Sequence, residues 1–571
     1  MCGIVGFNFG DKNLIKRMAN TLQHRGPDQE GYYVDNHISL GHKRLSIIDL
    51  SESGKQPICN EDGTIHMVFN GEIYNYKELK KDLKHHTFKS KTDCEVILHL
   101  YEEHGISLLG KLRGAFAFAL WDSKKKTLFL VRDRLGIKPL YYVHLKDKLL
   151  FASEIKALLE YEEIGRKLNE NALAQFIYYS FTIDGQTLLK NIKEVLPGHF
   201  LSYKNNVLND DVYWEAQQKL PSLSEKMGLD LLKKTLEEAV AIRLMSEVPL
   251  GISLSGGLDS SSITGILSKH CEEPLKTFTV GFGTELDEYE EARIVADYCG
   301  TEHREIHSSL KDITKSLPKI VWHFEAPFAR PAVLSNYILG KEIAKHVTVA
   351  YCGEAGDEVF AGFNRYRDFA LGRGTYRKVL WGVFQKNDIF KIPNIVDTDY
   401  PMTLDDALLY DITKEIPGVQ TRRVERMTMA HSTEFRFPFL DYKLVELSLR
   451  IPGNLKFREN AKKYILQQAV KDYLPERAVK RKKFPFGVPI HKYFHDEFLE
   501  ISQELLDKPE IRKYTHLKDV DKLVSLARKQ RPKKLDKIVE IDDRLQRQVL
   551  FLTSFELWYK IFINQETLKT I

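Results

Sequence analysis

The chain has 571 residues, of which 43% are hydrophobic and 29% charged, and its formal net charge at pH 7 is +5. At roughly 100–200 residues per domain, this length predicts two to four domains. Hydrophobic residues occur throughout the chain, which excludes disorder as its dominant state. The charge excess is too small to indicate nucleic-acid binding, and no apolar run approaches the ~18–20 residues of a membrane span.

The N-terminal segment and the cysteines predict the compartment. The first six residues, Met-Cys-Gly-Ile-Val-Gly, lack the basic segment and the apolar region of a secretory signal. The six cysteines are scattered without a Cys-x-x-Cys pair, which argues against a zinc site or a disulfide framework. This pattern is typical of a reducing cytoplasm, so we expect a cytoplasmic protein with no nucleic-acid partner and no membrane partner.

The first part of the chain, to about residue 200, has mainly strand patterns separated by Gly, Asp and Asn. The predicted strands include His66–Phe69, Thr127–Arg132 and Leu149–Ser153. Two helices are predicted, Asn13–Gln23 and Asp93–His104, and Asp93 is a candidate N-cap for the second. These patterns predict a layered structure of sheets and helices.

After about residue 215, strands alternate with helices, which predicts a parallel α/β sheet. The predicted elements are helix Leu229–Met245, strand Val248–Leu254, a helix from Ser260, strand Thr277–Gly281, helix Glu288–Cys299 and strand Val347–Tyr351. Beyond about residue 365 the pattern is mainly helical. The polar stretch Ser202–Trp214 is a candidate linker, so we expect domains at residues 1–205 and 215–571.

Cys2 becomes the first residue if Met1 is removed, and its thiol then lies beside its own α-amino group. An α-amine has a pKa of about 7.7–8.0 and is well suited to accept a thiol proton. One residue would then carry both the nucleophile and its base. The alternative is a buried, unreactive cysteine, which is the common state of a free cysteine.

Three further positions are candidates for a site around Cys2. Asn70-Gly71, after a predicted strand, looks either like a turn that offers an amide and a backbone N–H to an oxyanion or like an ordinary hairpin turn. Arg44 is suited to bind a carboxylate with two hydrogen bonds, although a lone arginine is more often a surface residue. Asp93 either holds an amino group or only caps its helix.

These residues belong to five motifs that resemble, in the same order, the class II (N-terminal-nucleophile) glutamine amidotransferases. The motifs are Cys2-Gly3-Ile4-Val5-Gly6, His24-Arg25-Gly26-Pro27-Asp28, Arg44-Leu45-Ser46-Ile47, Asn70-Gly71-Glu72-Ile73-Tyr74-Asn75 and Asp93-Cys94-Glu95. The resemblance implies that Cys2 attacks the side-chain amide of glutamine, and that Asn70 and the Gly71 N–H form the oxyanion hole. It implies that glutamine is bound by Arg44, Leu45, Ser46, Ile47, Ile48, Asn70, Gly71, Glu72 and Asp93.

A second candidate site is the string Ser255-Gly256-Gly257-Leu258-Asp259-Ser260, between a predicted strand and a predicted helix. Its glycines let backbone N–H groups approach a ligand, and the helix N-terminus adds positive potential, which together suit a phosphate. The string is not a Walker A loop. Asp259 suits such a loop if it binds a Mg²⁺ ion that holds phosphate oxygens. The alternative is an unoccupied strand-to-helix turn.

This string resembles the S-G-G-x-D-S loop of the ATP pyrophosphatases, and further segments resemble one branch of that group, the glutamine-hydrolysing asparagine synthetases. The further segments are Val280-Gly281-Phe282, residues 352–362, residues 434–441 and Lys463. The resemblance covers nearly the whole chain and fades after about residue 500. It implies a two-domain fold of the α/β and α+β classes: an N-terminal αββα sandwich of antiparallel sheets and a C-terminal parallel-sheet ATP-pyrophosphatase domain with added helices.

The resemblance also implies the chemistry of the second half. A carboxylate attacks the α-phosphorus of ATP to give an acyl-adenylate and pyrophosphate, and ammonia then forms an amide. Glu354 would serve the ammonia step, and Lys463 would neutralise charge at phosphorus unless it is only a solvated lysine. Asp259 and Asp357 are candidate Mg²⁺ ligands. The implied ATP-binding set is Leu254, Ser255, Gly256, Gly257, Asp259, Ser260, Val280, Cys352 and Gly353.

The implied small-molecule partners are glutamine, ATP and aspartate or another carboxylate, and a homodimer is one option for the assembly. Departures from the family pattern bear on the acceptor. Ala355 replaces a glycine, which is unfavourable if that residue needs a positive φ. Ala326 replaces an acid, and Arg330 adds a base that either binds an acidic acceptor or forms a surface pair.

Three hypotheses follow. The leading one is asparagine synthesis, in which aspartate is the acceptor. The second is a sister amidotransferase that amidates a different carboxylate, on a sugar or a peptidyl precursor. The third is a non-catalytic nucleotide-binding or regulatory protein, against which the presence of Cys2, Asn70, Asp259 and Glu354 argues.

Overall fold

The computed structural model describes residues 2–217, 221–283, 287–372, 402–481, 496–507, 510–514 and 544–568. Residues 2–217 contain twelve strands in two six-stranded antiparallel sheets. In chain order the strands are β1 (Gly3–Phe7), β2 (Gln29–Val34), β3 (Ser39–Arg44), β4 (Ile58–Cys59), β5 (Ile65–Ile73), β6 (Gly114–Asp122), β7 (Thr127–Arg132), β8 (Tyr141–Leu145), β9 (Lys148–Ala152), β10 (Lys193–Glu194), β11 (His199–Lys204) and β12 (Val207–Val212).

The two antiparallel sheets pack face to face, with helices outside them. The strand order is β10-β8-β9-β1-β3-β2 in the first sheet and β12-β11-β7-β6-β5-β4 in the second. The five helices of this half are α1 (Lys12–Asn20), α2 (Tyr76–Asp82), α3 (Glu95–His104), α4 (Ile155–Leu158) and α5 (Glu170–Tyr179). Buried side chains of α1, α4 and α5 pack on the first sheet, and those of α3 pack on the second. The predicted αββα sandwich is confirmed.

The second half is built on a five-stranded parallel sheet with the order β15-β14-β13-β16-β17. Its strands are β13 (Leu250–Ser253), β14 (Lys276–Gly281), β15 (Glu302–His307), β16 (Val349–Tyr351) and β17 (Glu434–Arg436), and a short hairpin follows with β18 (Phe457–Arg458) and β19 (Ala461–Lys462). Parallel strands need crossover connections, and helices supply these between successive strands. The predicted parallel α/β sheet is confirmed.

Helices make up most of the rest of the second half. Those described are α6 (Glu225–Ala241), α7 (Leu258–Leu267), α8 (Tyr289–Cys299), α9 (Leu310–Lys315), α10 (Leu317–Phe324), α11 (Ala332–Ile343), α12 (Gly356–Phe360), α13 (Asn364–Ala370), α14 (Leu404–Tyr410), α15 (Thr421–Met429), α16 (Tyr442–Arg450), α17 (Gly453–Lys456), α18 (Tyr464–Val470), α19 (Glu476–Lys480), α20 (Asp496–Leu505) and α21 (Arg544–Phe562). In the described part of the chain, no helix combines the length and the apolar character needed to cross a membrane.

Several segments differ from the sequence-based predictions, among them β17, which lies where the sequence predicted mainly helices. Ser202–Trp214 is not a linker, because it lies largely in the hairpin of β11 and β12, and β11 pairs with β7. Strand β15 was not predicted at all. Both β12 and β15 are edge strands whose side chains are mostly accessible to solvent, so neither carries the pattern of buried apolar residues from which a strand is predicted.

One hydrophobic core is shared by the two halves of the chain. Side chains of β1 and α5 pack with those of α21, which lies near the C-terminus. The rings of Phe176 and Phe551 have centroids 6.3 Å apart, and Arg166 donates a hydrogen bond to the carbonyl oxygen of Phe562 at 3.1 Å. The C-terminal helix therefore completes the core beneath the first antiparallel sheet.

A buried cluster of charges also joins the two halves. Arg25 donates to Glu154 at 2.7 Å and pairs with Glu425, and Arg426 lies 2.8 Å from Glu154 and 3.2 Å from Glu325. All five side chains are at most 1% exposed. Because buried charges are costly unless paired, this cluster fixes how α15 lies against the N-terminal half.

Candidate functional site

Cys2 lies immediately before β1 and is 7% exposed. Its backbone N–H donates to Asn70 Oδ1 at 2.9 Å, and Arg25 Nε donates to its carbonyl oxygen at 3.1 Å. Asn70 is fully buried, and its Nδ2 has no hydrogen-bond partner among the described residues. Leaving a buried donor unpaired costs about 1–3 kcal/mol, so the amide group is available to a ligand beside Cys2.

Asn70 and Gly71 are not in a turn, as the sequence suggested, but inside strand β5. They pair with Ala117 and Phe116 of β6. Gly71 has a φ of +149°, and a methyl group there would lie 2.1 Å from the Ala115 carbonyl oxygen. The strand therefore requires glycine at this point, and its rigid pairing holds the Asn70 side chain in place.

Arg44 ends strand β3 and organises the loop that follows it. Its guanidinium donates to Gln29 Oε1 at 2.6 Å and to the backbone carbonyl oxygens of Ile48, Asp49 and Ser51 at 2.6–3.2 Å. All four acceptors are uncharged, so these contacts fix the guanidinium without neutralising it. The sequence placed Leu45, Ser46, Ile47 and Ile48 at the glutamine site. In the structure they form the loop that Arg44 holds, and the Ser46 N–H donates to Asp28 at 2.7 Å.

Two buried carboxyl groups, Glu72 and Asp93, lie close to each other. Burial raises the pKa of Asp93 to about 7, and burial, with the charges of Asp93 and Glu434, raises the pKa of Glu72 well above its usual value. Asp93 is not the N-cap of α3, because Cys94 holds that position. Instead Asp93 Oδ2 accepts from the Ile73 N–H at 2.6 Å. The Arg436 guanidinium lies 3.6 Å from Glu72 Oε1 and lowers both pKa values, but burial outweighs it, so an incoming ammonium group would still favour the charged carboxylates.

The Ser255–Ser260 segment joins β13 to α7 as a tight loop. Gly256 has a φ of +67°, and a methyl group there would lie 2.5 Å from the carbonyl carbon of Glu291. The hydroxyl groups of Ser255 and Ser260 are 3.1 Å apart, and the Ser255 N–H donates to Ser260 Oγ at 3.2 Å. The loop closes onto the N-terminus of a ten-residue helix, which is the arrangement that binds phosphate in other proteins.

Lys463 lies between the loop and the segment after β16. Its Nζ is 2.5 Å from Asp259 Oδ2 and 2.6 Å from Asp357 Oδ1. Burial opposes the charge, but the two carboxylates outweigh it and raise the pKa of Lys463. The neighbouring Lys462 is turned away and donates to Asn364 at 2.8 Å. The alternative that Lys463 is a solvated helix lysine is therefore wrong.

Three glycines after β16 let this segment lie against Asp259 and Lys463. They are Gly353, Gly356 and Gly362, all of which pack within van der Waals distance of the cluster. Methyl groups at these positions would lie 2.7 Å from Ser260 N, 2.6 Å from Asp259 Cγ and 2.0 Å from Asp357 Oδ1, respectively. The glycine spacing is thus required by the close approach of the two loops.

Ala355 and Glu354 lie in the same segment. Ala355 has a φ of +70°, so the position does require the left-handed conformation in which an alanine is strained. Glu354 accepts a hydrogen bond from Arg423 at 2.7 Å. Leu254 and Cys352 are buried at the ends of neighbouring strands, Val280 is half-buried at the end of β14, and burial raises the pKa of the Cys352 thiol.

Residues of α15 near both sites were missed by the sequence analysis. Arg423 contacts Glu354 of the second site, and Glu425, one half-turn further, contacts Arg25 beside Cys2. The segment Thr-Arg-Arg-Val-Glu-Arg looks like a charged, solvated helix face, and only its burial in the fold shows otherwise. Arg330 pairs with the buried Glu415 at 2.9 Å, so its partner comes from the core and not from the surface.

Comparisons with known proteins identify the class. Residues 1–214 match the model of a glutamine amidotransferase domain, and residues 231–560 match the model of asparagine synthase. Asparagine synthetase [glutamine-hydrolyzing] 1 of Bacillus subtilis is 32% identical over 99% of this chain and 97% of its own length. The chain is thus an asparagine synthetase-like glutamine amidotransferase, an ATP-dependent ligase that hydrolyses glutamine.

The chain belongs to the asparagine synthase family, since that model covers more than half of it. Not every relative is named as a synthetase of asparagine. Amidase chry2 of Gibberella zeae is 29% identical over 86% of this chain and 91% of its own length. Membership of the family therefore does not identify the carboxylate that accepts the ammonia.

Proposed function

We propose that this protein is a glutamine-dependent asparagine synthetase. The observation that carries the proposal is that one folded chain contains both an unpaired Asn70 amide beside Cys2 and the Lys463–Asp259–Asp357 cluster on the Ser255–Ser260 loop. Residues 1–205 would hydrolyse glutamine, and residues 215–571 would activate the acceptor. We also propose that it acts in the cytoplasm.

The proposed glutaminase site binds glutamine as a zwitterion. Arg44, whose contacts are all to uncharged acceptors, binds the α-carboxylate, and Glu72 with Asp93 binds the α-ammonium group. The Cys2 thiol, exposed to its own α-amine once Met1 is removed, loses a proton and its sulfur attacks the side-chain carbonyl carbon. The oxyanion accepts hydrogen bonds from Asn70 Nδ2 and the Gly71 N–H. The carbon–nitrogen bond then breaks, the α-ammonium group of Cys2 returns the proton to the departing nitrogen, and ammonia leaves a thioester on the Cys2 sulfur. Water hydrolyses the thioester to glutamate and frees the thiol.

The proposed synthetase site binds ATP along the loop and α7. A β-carboxylate oxygen of aspartate attacks the α-phosphorus, the bond to the bridging oxygen breaks, and pyrophosphate leaves. Lys463 stabilises the charge that develops on the phosphoryl oxygens, because two carboxylates hold its ammonium group in place. Ammonia then attacks the acyl-adenylate carbonyl, with Glu354 accepting the proton that nitrogen loses, and AMP leaves.

Asp259 and Asp357 are suited to hold Mg²⁺. Both are carboxylates, the hard oxygen donors that this ion prefers, and both lie beside the phosphate-binding loop. The point that they share is occupied by Lys463 Nζ, at 2.5 and 2.6 Å, so the ion would be held by carboxylate oxygens that do not face Lys463. When bound, the ion would neutralise pyrophosphate charge.

The test follows three products in one reaction. Purified protein, with removal of Met1 checked by mass spectrometry, is incubated with Mg-ATP, glutamine and aspartate. Equal amounts of AMP, pyrophosphate and asparagine support the proposal, and Cys2→Ala should then retain only synthesis from added ammonia. Glutamine hydrolysis without aspartate-dependent pyrophosphate would refute aspartate as the acceptor.

That second outcome would favour amidation of another carboxylate. Arg330 motivates this alternative, because it adds a cation near Arg423, the partner of Glu354. Its pairing with Glu415 offsets that charge, so we favour aspartate. A panel of carboxylates, each assayed for acceptor-dependent pyrophosphate, separates the two functions.

A further inference from the structure

Four side chains in the N-terminal half converge on one point outside both proposed sites. Glu61 lies in the turn between β4 and β5, His86 follows α2, and His99 and Glu102 lie one turn apart on α3. One donor atom from each lies within 4.8 Å of every other. We propose that these four residues form a zinc(II) site.

Four nitrogen–oxygen distances in the cluster are close to those of tetrahedral zinc. His86 Nδ1 is 3.1 Å from Glu61 Oε1 and 3.5 Å from Glu102 Oε2, while His99 Nδ1 is 3.4 Å from Glu61 Oε2 and 3.1 Å from Glu102 Oε2. With zinc–ligand distances of about 2.0–2.1 Å, donor atoms at neighbouring corners of a tetrahedron are about 3.3–3.4 Å apart. The four measured distances lie on either side of that value, with Glu61 offering Oε1 to His86 and Oε2 to His99. The donor atoms of the whole set lie within 4.8 Å of one another, so the ligands draw together when the ion binds.

The second ring nitrogen of each histidine faces a further carboxylate. His86 Nε2 is 3.5 Å from Glu103 Oε1, and His99 Nε2 is 3.8 Å from Glu95 Oε1. Zinc-binding histidines usually have a carboxylate in this position, which orients the ring and makes the bound nitrogen a better donor. At 3.5 and 3.8 Å both pairs are longer than hydrogen bonds, but each carboxylate lies on the side of the ring where a metal site has its outer partner.

The two carboxylate ligands are also held in place. Glu61 Oε1 accepts from the Thr87 N–H at 3.0 Å, and Glu102 Oε1 accepts from Asn60 Nδ2 at 2.8 Å. His99 is only 1% exposed, whereas His86 and the two glutamates are partly open to solvent, which gives an ion a route in. Four protein ligands with no position left for substrate are typical of a structural site.

The alternative is a metal-free cluster of ion pairs. In that cluster each Nδ1–H donates to one glutamate oxygen at 3.1 Å, His86 to Glu61 and His99 to Glu102. Zinc coordination instead needs both Nδ1 atoms free of hydrogen, so zinc binding and these hydrogen bonds exclude each other, and a measured zinc affinity distinguishes the two states. The cysteine spacing, which argued against zinc, does not bear on this site, because its ligands are histidines and glutamates.

The test measures zinc binding to the full chain. Metal-stripped protein is titrated with zinc chloride against a competing chelator, and its melting temperature is recorded with and without zinc. We expect the parent protein to bind one zinc ion. His86→Ala should weaken that binding at least 100-fold, because loss of an outer contact alone weakens metal binding by about 10–100-fold. His85→Ala is the matched control, because His85 is exposed and outside the cluster.

If zinc also binds the Cys2 thiol, that binding persists in His86→Ala. The variant therefore separates zinc bound at the cluster from zinc bound at Cys2. We expect zinc to raise the melting temperature by several degrees in the parent protein and in His85→Ala, but not in His86→Ala. If His86→Ala does not fold, Glu61→Gln, with its partly exposed side chain, replaces it. Equal zinc affinity in parent and variant, or no binding at about 100 µM zinc, overturns the proposal.

Discussion

Glu425→Gln tests whether α15 positions the nucleophile of the proposed glutaminase site. Glu425 and Arg25 are both buried, and Arg25 also donates to the Cys2 carbonyl oxygen. The substitution removes one charge and keeps the shape. It leaves Arg25 to share Glu154 with Arg426.

The structure gives the expected magnitudes. Breaking a buried ion pair costs about 3–5 kcal/mol, and glutamine still accepts a hydrogen bond, so we expect a loss of about 2–4 kcal/mol of unfolding free energy. A shift of about 1 Å in a positioned group reduces a rate about 100-fold. If Arg25 follows the remaining carboxylate of Glu154, glutamine hydrolysis should fall by about 10–100-fold.

The assay compares glutamine-dependent with ammonia-dependent formation of AMP, together with denaturant unfolding. Ammonia-dependent activity should stay within about threefold of the parent, because Arg423 and Glu354 are not altered. Glu446→Gln is the control, since Glu446 pairs with the neutral Trp214 indole. Parent-like stability together with parent-like glutaminase activity would show that the buried pair does not position Cys2.

Three further substitutions test the two proposed sites. Asn70→Ala should reduce glutaminase kcat by about 100–1,000-fold with little change in ammonia-dependent synthesis, because the unpaired Nδ2 is lost. The affinity for glutamine should rise with pH, up to about tenfold per unit below pH 7, because an ammonium group favours the charged form of Asp93, whose pKa burial raises to about 7. Asp93→Asn should flatten that dependence of KM, and an unchanged slope would contradict the assignment. Gly362→Ala should displace the ends of Asp357 and Lys463 and lower ATP-dependent pyrophosphate release about 100-fold, while glutaminase activity and the melting temperature stay near those of the parent.

The sequence predicted the fold where hydrophobic patterns are strong. Strand β7 was predicted with its observed ends, and the parallel sheet was predicted from the alternation of strands and helices. The edge strands β12 and β15 were missed because their side chains face solvent and show no pattern of burial. Hydrophobic periodicity in a sequence indicates which side chains are buried, so it does not predict edge strands whose side chains face solvent.

Some candidate site residues could be predicted from the sequence and others could not. Lys463 could be chosen from the motif, but only the structure shows that it, and not Lys462, contacts Asp259. Ala355 was suspected of a positive φ because glycine is expected there, and its φ is +70°. Arg423 and Glu425 could not be predicted, because their roles depend on contacts with residues far away in the sequence.

The packing of α21 on the first antiparallel sheet has a consequence for biosynthesis. Residues 544–562 are synthesised long after the N-terminal half, yet they belong to the same hydrophobic core as β1, the strand that follows Cys2. At about 5–20 residues per second, the 366 residues after position 205 take on the order of 20–70 s to synthesise. During that interval the nascent N-terminal half has an incomplete core. Ammonia release would therefore begin only when the part of the chain that consumes it has also been made.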